Sequence, residues 1–156
     1  KRFLQGEKFA MIQFDATHKN YLNGQTIYEK RCARCHGIDG AGHEDNPPLW
    51  GKDANGQWLS YNTGSTMSDL DHGAVWIQSN MPVNEEGTLS DQEAADVTLY
   101  VNAQERADFD LTKSLLPEEK MGHYNLPVLE EHSSVRKNFD SFDLNIDVIR
   151  GDKKIR

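Results

Sequence analysis

Only two cysteines occur in the 156 residues, so at most one disulfide can form and a disulfide-built scaffold is excluded. No run approaches the roughly 20 apolar residues that a membrane helix needs, which excludes a spanning helix from these residues. Basic residues are scarce: 17 Lys and Arg stand against 25 Asp and Glu, a formal charge of −8. That balance argues against nucleic acid as a partner. Apolar residues are sparse too, at 37%, enough for one modest core. The length suits one small domain with extensions. The chain opens on Lys1 without a charged-then-apolar leader, so it is read as a processed product or a fragment.

What is present is unevenly placed. Residues 24–103 carry a net charge of −8, whereas residues 1–23 are net +2 and residues 104–156 net −2. The middle region also holds both cysteines, all three tryptophans and nine of the twelve glycines. Before it, residues 1–22 mix apolar and basic residues, with a weak strand-like alternation around Phe9–Phe14. After it, residues 104–156 form a tail of mixed charge without a sustained helical period. Near its end Phe142, Leu144, Ile146 and Val148 alternate with Asp143, Asn145 and Asp147, the pattern of a half-buried strand.

Three helices are expected in the middle region. The first runs from Gly24 to Ala33, capped by Asn23 or Thr26. The second runs from Asp69 to Ser79, with Ser68 as cap and its end imposed by Pro82. The third spans Asp91 to Ala103, where Ser90 and Glu93 have the spacing of a reciprocal cap, and Ala94, Val97, Leu99 and Val101 form its buried side. Between the first two lies a glycine- and proline-punctuated loop over residues 37–64. A structureless loop of that length needs something to organise around.

Cys32-Ala33-Arg34-Cys35-His36 supplies it. Cys-x-x-Cys-His is the attachment pattern of a c-type haem. Two cysteines three apart share one side of a helical turn and can each bond a vinyl group of one porphyrin, and the histidine then becomes the proximal iron ligand. A zinc site lacks a second ligand pair at the usual distance. A thiol redox pair lacks its βαβ setting. The sixth iron position falls to Met81, which precedes Pro82 at the end of the second helix, 45 residues after His36. The competing reading is a core methionine. Met67 is the rival thioether, expected to pack near the haem. His43 and His72 read as exposed, and His123, Tyr124 and His132 as remote candidates for a neighbouring haem. Trp50, Trp58, Tyr61, Trp76 and Leu70 are candidates for the haem wall or simply for the core. Trp58, Tyr61 and Asn62 are candidates to reach a propionate.

Gly24-x-x-x-Tyr28, Cys32-x-x-Cys35-His36-Gly37, Asn80-Met81-Pro82 and Leu99-Tyr100 together resemble a class I cytochrome c over residues 23–103. The resemblance implies a mainly α fold whose first and last helices cross closely. Gly24 would permit the approach, and Tyr28 would meet Leu99 or Tyr100. A narrower set is similar to the electron-accepting haem domain of thiosulfate dehydrogenases: His36-Gly37-x-Asp39-Gly40-x-Gly42, Pro47-Pro48-Leu49-Trp50-Gly51, Tyr61-Asn62-x-Gly64-x-x-Met67 and Asn80-Met81-Pro82. Those dihaem enzymes hold substrate at their other haem, which has a cysteine ligand. With one attachment motif and no third cysteine, these residues resemble the electron-transfer half. Where some members carry a lysine before the axial methionine, Asn80 stands here, so no Lys/Met exchange is expected.

The resulting expectation is a mainly helical class I cytochrome c domain over 23–103 with extensions at 1–22 and 104–156. It would bind one haem c through Cys32 and Cys35, with His36 and Met81 on the iron and Trp50, Trp58, Tyr61 and Met67 around it. Its function would be electron transfer, with no catalytic residue of its own. The alternative is a haem subunit or fragment of a sulfur-oxidising enzyme. Partners would be redox proteins with a basic docking face, or a larger complex formed through the tail. Its location would be the periplasm or another exported compartment.

Overall fold

The computed structural model describes residues 16–108 and 134–151. The elements are helical: α1 His18–Arg31, the short α2 Ala33–His36, a 3-10 turn at Thr66–Ser68, α3 Leu70–Asn80, α4 Asp91–Asn102, α5 Ser134–Asp140 and α6 Ile146–Arg150. Extended pairing among the described residues is limited to the isolated bridges His43–Asn46 and Lys52–Trp58. None of the described helices is long and apolar enough to cross a membrane.

The helix boundaries follow local chemistry. At α4 the Ser90 hydroxyl accepts from the Glu93 amide and the Glu93 carboxylate accepts from the Ser90 amide, the expected reciprocal cap. Helix α1 starts six residues earlier than its sequence suggests, because Thr17 accepts from the Asn20 amide and supplies the cap that Asn23 or Thr26 was expected to give. Ser68 does not cap α3. It lies in the 3-10 turn, its hydroxyl bonded to the carbonyls of Thr63 and Ser65, and Asp69 takes the cap position.

Helices α1 and α4 cross at close range. A Cβ on Gly24 would stand 1.9 Å from the Asp96 carbonyl oxygen, so only glycine permits this approach. Beside the crossing, the buried Asp96 carboxylate accepts from the side-chain amides of Asn20, Asn23 and Gln92 at 2.8–2.9 Å. Tyr28 meets Tyr100 with ring centroids 5.7 Å apart, one of the two partners expected for it. Around this point Tyr28, Ala74, Leu89, Ala94, Ala95, Val97, Tyr100 and Val101 form one apolar cluster.

The tail departs from expectation. Residues 142–148 do not form a strand: Phe142–Leu144 turn out of α5, and Asn145 caps α6 by accepting from the amides of Asp147 and Val148. Ile146 and Ile149 then share a buried face at i, i+3, while Val148 and Phe142 are exposed. The same apolar letters serve a period of two or one near 3.6, and the packing of Ile146 and Ile149 on one buried face takes the helical one. Val135, Phe139, Ile146 and Ile149 pack on Leu70, Leu99 and Ala103 in a second cluster. As a result, α4 is buried all round from Ala94 to Asn102 rather than on one side. The expected strand at Phe9–Phe14 lies outside the described residues, as do His123, Tyr124 and His132.

Candidate haem site

Cys32 ends α1, and the next turn, α2, carries Cys35 and His36. The His36 amide bonds the Cys32 carbonyl at 2.9 Å, so the attachment residues sit on one turn. Both thiols are free of disulfide; Cys32 is half-buried and Cys35 exposed. Burial pushes the Cys32 thiol up to about 11, and Arg31 opposes the shift.

The long loop is ordered by bonds to other elements. The amides of Gly51 and Thr63 bond the carbonyls of Glu105 and Ala107, and the Leu49 amide bonds the Gly40 carbonyl. At Gly40, with φ +73°, the Trp50 indole lies where a Cβ would be, 2.3 Å away, so glycine is needed on both counts. This path brings Pro47 to His36, whose buried ring places Nδ1 2.8 Å from the Pro47 carbonyl oxygen. A carbonyl only accepts, so Nδ1 carries the proton, and Nε2 of the neutral ring keeps its lone pair for a metal.

A cavity of about 510 Å³ opens beside this histidine. That volume is in the range of cofactor sites. Cys32, Cys35 and His36 line it together with Met67, Met81 and Pro82. Its deep wall is apolar, with Tyr28, Val97 and Val101 buried. At the mouth Trp76 and Val83 are exposed, at 46% and 62%. Two thiols, an imidazole with its Nε2 available, two thioethers and apolar walls are a donor set and a lining that suit a covalently attached haem.

Of the residues singled out from sequence, Cys32, Cys35, His36, Met67, Tyr61, Trp76 and Met81 therefore converge on one cavity. Trp50 and Trp58 do not line it. Trp50 packs between Tyr28 and Tyr100, at 5.2 and 5.9 Å. Trp58 is buried under the Lys52 ammonium, which stands 4.7 Å from its ring. Leu70 belongs to the second cluster. His43 and His72 are exposed, and His72 is bonded to Asp69 at 2.8 Å. Tyr61 donates to Asn102 Oδ1 at 2.5 Å, and burial raises its phenol above the ordinary tyrosine value.

One residue escaped the sequence reading. Arg106, just past α4, is buried to 2% exposure. Its guanidinium donates to the carbonyls of Leu49, Tyr61 and Val101 and lies 4.1 Å above the Tyr61 ring. An arginine in a polar segment normally reads as surface, and no local pattern marks this one as interior.

The cavity and its attachment turn define a c-type haem protein. The family model for cytochrome c matches residues 21–105, more than half of the chain, and the protein belongs to the cytochrome c family. Its cofactor is a covalently bound haem c and its role is electron transfer. The chain is 41% identical over 88 residues to the thiosulfate dehydrogenase of Stutzerimonas stutzeri (strain A1501), covering 53% of this chain and 27% of that protein. It is 39% identical over 92 residues to the thiosulfate dehydrogenase of Thiomonas intermedia (strain K12), covering 56% of this chain and 27% of that one. Among solved structures it is similar to the thiosulfate dehydrogenase (TsdBA) of Marichromatium purpuratum in its "as isolated" form, at 40% identity and a TM-score of 0.49, covering 56% of this chain and 18% of that one. The chain thus spans about a quarter of the length of these curated relatives.

Proposed function

We propose that this chain carries single electrons on an iron held by His36 and Met81. The observation that carries this reading is the 2.8 Å hydrogen bond from His36 Nδ1 to the Pro47 carbonyl, beside a cavity that Met81 also lines. When bound, haem c supplies a one-electron iron couple, and Met/His ligation raises its potential. Cys32 and Cys35 anchor the group through their sulfurs. His36 is held in one tautomer by Pro47, and Met81 offers a soft thioether from the end of α3. Tyr28, Val97 and Val101 keep water from the deep wall, with Tyr61 and Met67 completing the lining. Trp50 acts one layer back, against Tyr28. With His36 and Met81 both holding the iron, substrate chemistry there would be disfavoured.

The haem domain spans residues 23–103, and residues 104–156 serve as an extension whose described part, residues 134–151, packs on it. Support for this packing comes from Val135, Phe139, Ile146 and Ile149 against Leu70 and Leu99. Redox proteins are the partners. The acidic middle region favours partners with a basic docking face, and the encounter rate should fall as salt rises. Arg31, at the cavity mouth, is paired with Glu85 at 3.2 Å and weakens that field little. The compartment is the periplasm or another exported space, as covalent haem attachment and the likeness to thiosulfate dehydrogenases suggest.

The test is the absorption spectrum of the oxidised and reduced protein, with acid-solvent extraction. Haem that stays with the protein and a far-red sulfur-to-iron band when oxidised are the expected results. Extractable haem, or high-spin iron, would overturn the reading. A second reading rests on the 41% identity to a thiosulfate dehydrogenase: the chain is the electron-transfer piece of a sulfur-oxidising enzyme. Thiosulfate-dependent reduction of this haem, only in the presence of a second haem chain or domain, would support it. Reduction by thiosulfate at the same rate with the chain alone would refute that division of labour.

A further inference from the structure

We infer that Gln78 is a positioning residue for Met81: it staples shut the loop that begins at Met81, and an added ligand reaches the iron only when that staple opens. This rests on the Met81 ligation proposed above. Gln78 lies in the last turn of α3 and is 6% exposed. It does not line the cavity. Its Nε2 donates to the Leu89 carbonyl at 3.1 Å and to Asp91 Oδ1 at 2.7 Å, which uses both of its hydrogens. Its backbone carbonyl, at the end of the helix, accepts from the Gly87 amide at 2.9 Å. One residue thus joins the end of α3 to the far end of the loop and to the first turn of α4.

The loop needs such a tie. Residues 83–88 are exposed, so this stretch gains little from burial of its own. The amides of Glu85 and Thr88 bond the carbonyls of Pro82 and Glu85, turns that close within the loop itself. An outer tie comes from α1, where Arg31 Nη2 donates to Glu85 Oε1 at 3.2 Å and to Thr88 Oγ1 at 2.8 Å. Arg31 precedes Cys32, so this tie runs from the attachment turn to the loop. It is solvent-screened, whereas the Gln78 amide is buried, and the inner tie is therefore the stronger one.

The consequence for the site follows from what the loop covers. Met81, Pro82, Val83 and Asn84 all line the cavity. The Met81 amide is fixed to the Ile77 carbonyl at 2.8 Å, so this wall can swing outward only from Pro82 onward. Making room for another ligand in place of the thioether requires that swing. The open loop is then a minor state, and a ligand that binds only this state has its apparent affinity reduced by the open fraction. The bonds of Gln78 exist in the closed loop and are lost in the open one. They keep the open fraction small and the thioether in place.

Imidazole binding to the oxidised holoprotein reads that fraction through loss of the far-red sulfur-to-iron band. Gln78→Met keeps the length of the side chain and removes both donors. Q78M should bind imidazole on the order of tenfold more tightly than wild type. Phe139→Ala is the control, because it weakens the fold through a seam that contains no residue of the loop. F139A should bind imidazole within about twofold of wild type. If Q78M binds as wild type does, or if both variants gain affinity in step with their lost stability, Gln78 is structural only and the inference is wrong.

Should Q78M yield no folded holoprotein, amide hydrogen exchange of the wild type carries the test. Saturating imidazole should cost the Gly87 amide its protection while the amides of Val97 and Leu99 in α4 keep theirs. Protection at Gly87 that is the same with and without imidazole would overturn the inference, since the thioether then leaves without the loop opening. A wild-type oxidised protein that lacks the far-red band, or an M81A variant that keeps it, would instead overturn the Met81 reading on which the inference rests.

Discussion

Gly24→Ala is the substitution whose cost is best defined by the structure. In isolation it should help, because alanine is favoured over glycine by about 0.8–1.0 kcal/mol inside a helix. Here the new methyl would lie 1.9 Å from the Asp96 carbonyl oxygen, 2.6 Å from its carbon and 2.9 Å from Tyr100 Cβ. None of these atoms belongs to a flexible side-chain end. Reaching ordinary contact at 3.4 Å from 1.9 Å requires α1 and α4 to part by about 1.5 Å. That movement loosens Tyr28, Ala95, Val97 and Tyr100, and it strains the amide bonds of Asn20 and Asn23 to Asp96. Overpacking costs about 1–3 kcal/mol, and the disrupted packing and hydrogen bonds add to it. A net loss of about 3 kcal/mol is expected, a large part of an ordinary folding stability. Guanidinium unfolding of the holoprotein, with the exposed α1 change Glu29→Ala as control, measures it. Stability of G24A within about 0.5 kcal/mol of wild type would refute the close-crossing account.

Met81→Ala should leave the haem covalently attached, lower the potential and let added imidazole bind the iron; an unchanged spectrum with no added-ligand binding would sink the Met81 assignment. Phe139→Ala should cost about 3–5 kcal/mol of stability. Its visible spectrum should not change, since the seam of Phe139 with Leu70 and Leu99 shares no residue with the cavity lining. A shifted spectrum would show that the tail shapes the site. Raising the pH should destabilise the fold from about pH 10 upward. Burial raises the phenols of Tyr28, Tyr61 and Tyr100, so their contribution is complete below the ordinary tyrosine value and is lost as pH climbs through the folded values. Denaturation midpoints followed against pH, with phenolate absorbance as the marker, check this; midpoints that stay level to pH 12 would contradict it.

The features legible in the sequence are those whose cause lies within a few residues. Cys32, Cys35 and His36 mark the cofactor because one helical turn is enough to bring them together. Ser90 and Glu93 mark the start of α4 because a cap is a local exchange of hydrogen bonds. Gly24 and Tyr28, taken with Leu99-Tyr100, pointed to the helix crossing through the family likeness, and the contacts are there. What the sequence left open was decided at long range. Whether Phe142–Val148 becomes strand or helix depends on which surface receives it, and the face of α4 with Leu99 and Ala103 takes Ile146 and Ile149 from a helix. That Trp50 turns to Tyr28 and Tyr100 while Tyr61 meets the cavity is a matter of where the long loop is pinned to residues 105 and 107. The burial of Arg106 is the clearest case, since carbonyls from positions 49, 61 and 101 must meet before an interior guanidinium has acceptors. Sequence alone determined the cofactor and the helices around it, because those are properties of a turn. Tertiary structure decided the walls, the tail and the buried charge, because each needs surfaces that only the folded chain brings together.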